Sequence, residues 1–323
     1  MSGLTLEGFF TIQFRDNDGN VTKEVKSTNM VLDAGINHLV TASNNNYLFH
    51  TLVIGSNKAT FNGTLTDFGT VIASSTAGAN KTGGCVKETD KVYFWHRVSF
   101  TIPAGSARGE AARIGIKTSN NVLFSCASLM FDNNGVQTAT TLDGSELFIT
   151  YEYRVYHSTT VKTFTNVEIL KGKMFTVKAQ LGFDGTDTAL GTGDYFGWGQ
   201  SIAYPISIQA IPKRSNDTDI LANKACQWNS GSMGTATTYA GVTVAGMQEA
   251  KVELLDRLTN GATGVKGFKM LFDTTIPASA KSIGYLLMGT NYGVYKFEIT
   301  PTLYRANSVL TYQFELSLSV RRA

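Results

Sequence analysis

Apolar and polar residues alternate along much of this chain, a pattern typical of half-buried β-strands. The first example runs from Leu6 to Phe14. It is followed by the turn sequence Asp16–Asn20, whose Asp-Gly pair supplies the positive φ of a tight hairpin. An EF-hand calcium loop needs Gly at its sixth and Glu at its twelfth position, and this segment has neither. We therefore expect Val21–Lys26 to return as the partner strand.

The stretch from Asn29 to Thr41 has a different period and predicts a helix. Its apolar residues recur at helical spacing, at Val31, Leu32, Ile36, Leu39 and Val40. Asp33 stands near the start and is expected to cap the helix. This is the one clear helix that the pattern predicts in the first half of the chain.

The rest of the first half again predicts strands. They are expected at Tyr47–Ile54, Lys91–Ile102, Arg113–Lys117, Val122–Phe131 and Glu146–Tyr156. Thr60–Gly84 is rich in Thr, Ser, Gly and Ala, which favours a long loop with an edge strand. Short strands separated by turn signals are typical of a β-sandwich.

The second half of the chain also predicts mainly strands. A hairpin is predicted at Phe164–Leu170 and Met174–Phe183, and later strands at Ser201–Ile211, Phe268–Asp273, Ser282–Met288, Gly293–Thr300 and Val309–Val320. Gln248–Leu258 fits either a strand or a short helix. Ser215–Val242 is polar, rich in Gly and Thr, and predicts no defined element.

A repeated motif suggests that the chain contains a duplication. Thr101-Ile102-Pro103-Ala104 recurs as Thr275-Ile276-Pro277-Ala278, although the chain has only 5 prolines. A separation of this length is that of a domain and not of a solenoid unit. We therefore predict an all-β protein of two tandem, related antiparallel β-sandwich domains, with one short helix in the N-terminal domain. The domains are placed at 1–157 and 163–323, and the polar stretch His157–Lys162 contains the boundary.

Composition and charge narrow the possible partners. Charged residues are 16% of the chain, against about 25% in ordinary soluble domains, which suits lasting protein contacts. A net charge of +3 is too balanced for nucleic acid as the main partner. We expect the final Arg321-Arg322 to be a solvated tail. We expect neither a signal peptide nor a membrane-spanning segment, because no suitable apolar run is found.

The residue types that usually act in catalysis or metal binding do not form a recognisable motif. Cys85, Cys126 and Cys226 have no metal spacing, and their odd number suits synthesis in a reducing cytoplasm. The four histidines are scattered, and no nucleophile elbow or phosphate-binding loop is found. Paired carboxylates for glycoside hydrolysis are conceivable among Glu146, Glu152, Asp184, Asp194 and Asp256. Glu152 and Arg154 share one strand face, however, which favours a surface ion pair. We predict no catalytic residue, no metal site and no cofactor.

One loop is a candidate for contact with a partner or ligand. Tyr195, Phe196 and Trp198 stand between glycines in the segment Asp194–Gly199. Such rings can anchor a protein interface or stack on a sugar, and they can also simply cover one end of a sandwich. All three interpretations stay open at this point.

The first 60 residues resemble structural proteins of tailed-bacteriophage tails. In that family an Asn-x-Val/Ile segment and a Gly-Leu/Ile-x-x-Leu helix precede a strand that ends in Val-Gly-x-Gly. The matching segments here are Asn29–Leu39 and Leu52–Asn57, with Ser56-Asn57 in place of the usual Gly-rich end. The resemblance implies a non-enzymatic virion component of the tail, neck or fibre-attachment region. It would be assembled in the bacterial cytoplasm in several copies, with itself and other tail, neck or fibre proteins as partners.

Two other functions are kept open. The first is a receptor- or glycan-binding tail protein that contacts a host-surface glycan through Tyr195, Phe196 and Trp198. The second is an enzyme that depolymerises a cell-surface polysaccharide. Such enzymes often use long repetitive β-helices, and no short repeat of that kind is present.

Overall fold

The computed structural model describes residues 3–43, 45–78, 80–129, 139–170, 172–181, 202–208, 226–229, 248–249, 251–255, 259–272, 282–304 and 312–323. Within them the chain is mostly β-strand with one short helix, which confirms the all-β prediction. The strands of the first half are β1 (Leu4–Arg15), β2 (Val21–Val31), β3 (Thr51–Gly55), β4 (Val71–Thr76), β5 (Lys81–Lys87), β6 (Lys91–Ile102), β7 (Arg108–Ala111), β8 (Arg113–Lys117), β9 (Leu123–Ser128), β10 (Thr140–Asp143) and β11 (Glu146–Ser158). The helix, α1, spans Asp33–Thr41.

The second half contributes the remaining strands. They are β12 (Lys162–Leu170), β13 (Lys173–Leu181), β14 (Cys226–Asn229), β15 (Gln248–Glu249), β16 (Lys251–Leu255), β17 (Thr263–Phe272), β18 (Ser282–Thr290), β19 (Gly293–Tyr304) and β20 (Tyr312–Arg322). The sequence of Gln248–Leu258 fits either a strand or a short helix, and its described residues form the strands β15 and β16.

A large sheet of 12 strands folds back on itself at β2. Residues Val21–Asn29 of β2 pair with β1, whereas Met30 and Val31 pair with β9. One layer therefore holds β5, β6, β11 and β1, and the other holds β9, β8, β3 and β4. Their facing side chains, which include Phe124 and Tyr151, pack into a buried core, and Phe49 from the segment before β3 contacts both rings.

Strands from the end of the chain complete the first layer. β20 runs parallel to the start of β1, with Leu4 opposite Val320, and continues through β17 to β16. A separate sheet of 6 strands has the order β12-β13-β19-β18-β14-β15. Buried residues on both sides of 157–163 belong to one hydrophobic cluster. The division of the chain into two related domains stays a prediction, and these contacts cross the proposed boundary.

Several local predictions need correction or fall outside the described residues. Asp33 lies in the first turn of α1 and is not its cap, because the N-cap residue is Leu32 and no side chain caps the helix. The Thr60–Gly84 segment contains β4 and the start of β5, so it is less of a loop than expected. The second Thr-Ile-Pro-Ala copy, at 275–278, is outside the described residues.

Candidate functional site

The outer face of the β1–β11–β6 layer carries an unusual group of aromatic and charged side chains. Alternation sends Phe10, Ile149 and Phe94 into the core, so their sequence neighbours point to the opposite face. We call this set the aromatic–arginine face: Phe9 on β1, Tyr93, Trp95 and Arg97 on β6, and Glu152, Arg154 and Tyr156 on β11. The face is thus a direct product of the period-two pattern.

Strand register brings these residues side by side. Phe9 lies opposite Glu152, and Glu152 lies opposite Arg97 on the next strand. In the adjacent row Arg154 lies opposite Trp95. Residues opposite each other on one face of antiparallel strands are close enough for direct side-chain contact.

Glu152 is the centre of a charged triad. It accepts hydrogen bonds from Nε of Arg97 at 3.1 Å and from Nε of Arg154 at 2.6 Å. The Glu152 side chain is only 12% exposed, whereas that of Arg97 is 48% exposed. The predicted ion pair between Glu152 and Arg154 is confirmed. Arg97 joins it from a neighbouring strand, and one accessible guanidinium remains beside a covered carboxylate.

Aromatic rings support the two guanidinium groups. Arg154 lies over Phe9, at 4.5 Å from the ring centroid, and over Tyr93 at 4.9 Å. Arg97 lies over Trp95 at 5.0 Å. A cation within about 6 Å of an aromatic centroid is attracted to the ring face. These contacts hold both arginines in fixed positions on the sheet.

Tyr156 lies opposite Tyr93 on β6 and is a neutral phenol. Partial burial raises its pKa to about 12, although a hydrogen bond from Nη1 of Arg154 to its hydroxyl, at 3.4 Å, acts in the opposite direction. Its ring centroid is 5.0 Å from that of Tyr93. Tyr156 can therefore orient Arg154 but does not act as a base at neutral pH.

A glycine on the adjacent strand provides room for Trp95. A Cβ atom at Gly84 on β5 would lie 2.9 Å from the indole Nε1. The indole therefore lies closely against the backbone of β5, where only glycine leaves enough space. This contact fixes the ring at the edge of the aromatic–arginine face.

A shallow depression of about 360 Å³ lies in the middle of the face. It is lined by Phe9, Thr11, Arg97, Thr150, Glu152 and Arg154. Among the described residues that line it, Glu152 is the one carboxylate, so no second described acid faces it there as glycoside hydrolysis requires. The lining offers charged donors, hydroxyl groups and one aromatic ring.

A larger groove of about 500 Å³ lies where β2 leaves β1 for β9. Arg113 and Arg322 line it, but both already have partners. Arg113 donates to the carbonyl oxygens of Ala59 and Phe68. Arg322 pairs with Asp33 at 2.5 Å and donates to the carbonyl of Val31. These arginines hold the surrounding loops together, and the expectation that Arg322 is a solvated tail is wrong.

The residues expected to form a binding loop cannot be placed. Tyr195, Phe196 and Trp198 lie outside the described residues, as do Asp184, Asp194 and Asp256. Cys126 is fully buried, and burial raises the pKa of its thiol to about 12. The sequence pattern predicts the strand Lys91–Ile102 but did not identify the aromatic–arginine face as a site. Alternation within this strand would have grouped Tyr93, Trp95 and Arg97.

Comparisons with protein-family models, with curated proteins and with solved structures gave no match. Within the described part of the chain, no helix is both long and apolar enough to cross a membrane. The same residues include no group of three or more His, Cys, Asp or Glu side chains that could hold a metal ion. The function therefore has to be argued from the surfaces themselves.

Proposed function

We propose that this protein is a non-enzymatic structural component of a bacteriophage virion, in the tail, neck or fibre-attachment region. It acts through contacts between subunits in a multi-copy assembly. The single observation that carries this proposal is the position of its exposed apolar side chains, which fall mainly on strands with one open edge.

Seven strands pair with one neighbour only among the described residues: β4, β5, β7, β10, β12, β15 and β16. Four of them, β4, β5, β12 and β16, have a large apolar side chain that is more than one-third exposed, namely Val71, Val86, Phe164 and Leu254. Residues Val21–Asn29 of β2 also have a single partner strand, and Val21 is 49% exposed. An open edge and an exposed apolar side chain thus occur together on five strands.

Such edges favour association with further chains. An unpaired strand edge presents backbone donors and acceptors that can pair with another strand, and proteins that stay monomeric normally protect it. Contacts with neighbouring subunits protect an edge equally well. In a closed ring, one pair of complementary patches is used at every interface. The same copies would bury the exposed apolar side chains.

The position in a virion is supported by the resemblance of residues 29–57. Its order of elements, a helix followed by a strand that ends in Val-Ile-Gly, corresponds to α1 and β3. We accordingly propose assembly in the host bacterial cytoplasm, with copies of this chain and other tail, neck or fibre proteins as partners. Host-surface glycan binding through Tyr195, Phe196 and Trp198 stays a prediction, because these residues lie outside the described part.

The test combines particle composition with self-association. We expect mass spectrometry to find the chain in purified phage particles. We also expect analytical ultracentrifugation of the purified chain to show oligomers. Val86→Lys and Phe164→Lys place a charge on open edges and should shift the distribution towards monomer, because lysine on an edge opposes strand addition.

Gln13→Lys is the matched control, because Gln13 lies on β1, which is paired on both sides. This variant should associate like the unmodified chain. A chain that stays monomeric at high concentration and is missing from purified particles would contradict the proposal. Equal loss of association in all three variants would show that charge alone, and not the strand edges, determines it.

A further inference from the structure

The depression on the aromatic–arginine face is lined by side chains that suit recognition of a polar ligand. Five of its six lining residues are polar or charged, and Phe9 is the exception. It is an open depression of about 360 Å³. Strands β1, β11 and β6 form a continuous paired layer beneath it, so the lining groups have fixed positions.

Arg97 is the most exposed charged group of the depression. Glu152 lies between Arg97 and Arg154, and Glu7 on β1 lies opposite Arg154 beside the depression. Arg97 uses Nε and Nη2 on Glu152, and its side chain remains 48% exposed. The rest of this guanidinium is therefore accessible to an anionic group, and guanidinium binds carboxylates with good geometry.

We propose that this depression binds a carboxylate-bearing sugar unit of an oligosaccharide or polysaccharide. The carboxylate of the sugar pairs with Arg97. The hydroxyl groups of the sugar find hydrogen-bonding partners in Thr11, Thr150 and the Glu152 carboxylate, and the apolar face of the ring has Phe9 beside it. The inference uses none of the residues 195–198 and does not depend on the proposed assembly.

The same observations disfavour the other partners that use aromatic residues and arginines. Single-stranded nucleic acid needs a groove with a clear excess of cations along its backbone. Here Glu152 lies between the two arginines at the centre of the depression. A protein partner typically covers about 800 Å² of each surface around a buried apolar centre. A small polar depression fits a sugar residue better.

Binding is tested with the purified full chain and three acidic probes: trigalacturonate, a hyaluronan tetrasaccharide and disialic acid. The methyl ester of trigalacturonate is the uncharged counterpart of the first. Isothermal titration calorimetry should detect at least one acidic probe with a dissociation constant of about 1 mM or lower. Arg97→Gln should weaken that binding by about tenfold or more, because it removes a charge-assisted hydrogen bond.

Arg108→Gln is the matched control, because it removes the same charge from β7, outside the lining. It should leave binding unchanged. Trp95→Phe, which keeps a ring beside Gly84, should have a smaller effect than Arg97→Gln. Thermal unfolding of each variant shows whether the fold is retained.

Three results would overturn the proposal. They are no binding of any acidic probe, equal binding of trigalacturonate and its methyl ester, and equal losses in Arg97→Gln and Arg108→Gln. Binding of an oligo-dT strand that Arg97→Gln abolishes, without binding of the sugars, would assign the face to nucleic acid instead. Selective loss of acidic-sugar binding in Arg97→Gln supports the assignment.

Discussion

His157 is a fully buried base surrounded by apolar groups. It lies near the end of β11, between the rings of Phe94, with centroids 5.2 Å apart, and Tyr295, at 6.3 Å. Neither ring nitrogen has a hydrogen-bond partner in the described structure. Burial lowers the pKa of His157 to about 3, because the charged imidazolium loses its hydration there.

Because His157 is buried as a neutral base, the free energy of unfolding should fall in acid. The pKa of His157 is about 3 in the folded protein and about 6.5 in an unfolded chain. Below pH 6.5 the unfolded state therefore binds the proton first, and stability is lost as pH falls towards 3. The free energy of unfolding should drop by up to about 1.4 kcal/mol per pH unit from this group. Urea unfolding at several pH values measures the slope.

His157→Phe removes the titrating group and should make that slope shallower. His50 is exposed on the surface, so His50→Gln should leave the slope as it is. His38, whose pKa burial also lowers, contributes in the same direction in all three proteins. Identical slopes for the His157→Phe variant and the unmodified chain would show that His157 is not buried as a neutral base.

Helix α1 is held closely between two strands by glycines. A Cβ at Gly35 would lie 2.3 Å from the carbonyl oxygen of Phe124 on β9. On the other side, a Cβ at Gly264 on β17 would lie 2.8 Å from Cγ2 of Ile36. Lys266 donates to the carbonyl oxygen of Val40 in the last turn, at 2.5 Å, and so satisfies one of the free carbonyls at the helix end.

Gly35→Ala should destabilise the protein, although alanine is the better helix former. In an open helix the change adds up to about 1 kcal/mol of stability. Here the backbone of α1 or β9 has to move, and overpacking of this kind costs about 1–3 kcal/mol. Asn37→Ala, at an exposed position of the same helix, should be nearly neutral. Chemical unfolding distinguishes the two, and a gain of stability in Gly35→Ala would contradict the close contact.

Elements with a regular local pattern could be predicted from the sequence. The alternation of Leu6–Phe14 predicted β1, and the helical spacing predicted α1, although the helix begins at Asp33 and not at Asn29, because Asn29–Val31 belong to β2. Tyr47 and Leu48 were expected in a strand, but β3 begins at Thr51. Their backbone groups bond to residues far along the chain instead, since Leu48 donates to the carbonyl of Ala203. The local sequence pattern gives no information about such distant hydrogen-bond partners.

The candidate site, too, could be predicted from the sequence only in part. The pair of Glu152 and Arg154 was predictable, because residues two apart on a strand share a face. The contribution of Arg97 and Phe9 was not, because it depends on the register between three strands. A shift of one residue in either pairing would send different side chains to this face. The depression is therefore a tertiary feature, even though each strand is recognisable by itself.

At the scale of the whole molecule, segments distant in sequence are tied together. Residues 202–208 contact both halves, since Ile206 donates to the carbonyl of Leu39 and Ser207 donates to the side chain of Asn291. Arg322 links β20 to the start of α1 through Asp33, and the two side chains are 19% and 24% exposed. This ion pair stabilises the contact between β20 and α1.

Arg322→Gln should lower the free energy of unfolding by about 1–3 kcal/mol, because it leaves a partly buried carboxylate and the carbonyl of Val31 without their donor. Arg321 is the matched control. It is exposed, and it donates a hydrogen bond of 3.4 Å to Thr5. Arg321→Gln should change stability by less than about 0.5 kcal/mol. Equal effects of the two substitutions would contradict the structural role of Arg322.

The pairing of β1 with β20 also affects the order of events during synthesis. A ribosome adds about 5–20 residues per second, and the chain begins to fold from its N-terminal end. β1 can pair with β2 and β11 early, but Leu4 meets Val320 only after the more than 300 residues between them have been made. Until then the edge of β1 at Leu4–Leu6, which β2 does not cover, is open to strands of nascent chains on neighbouring ribosomes. Efficient folding therefore depends on how quickly β20 emerges and docks.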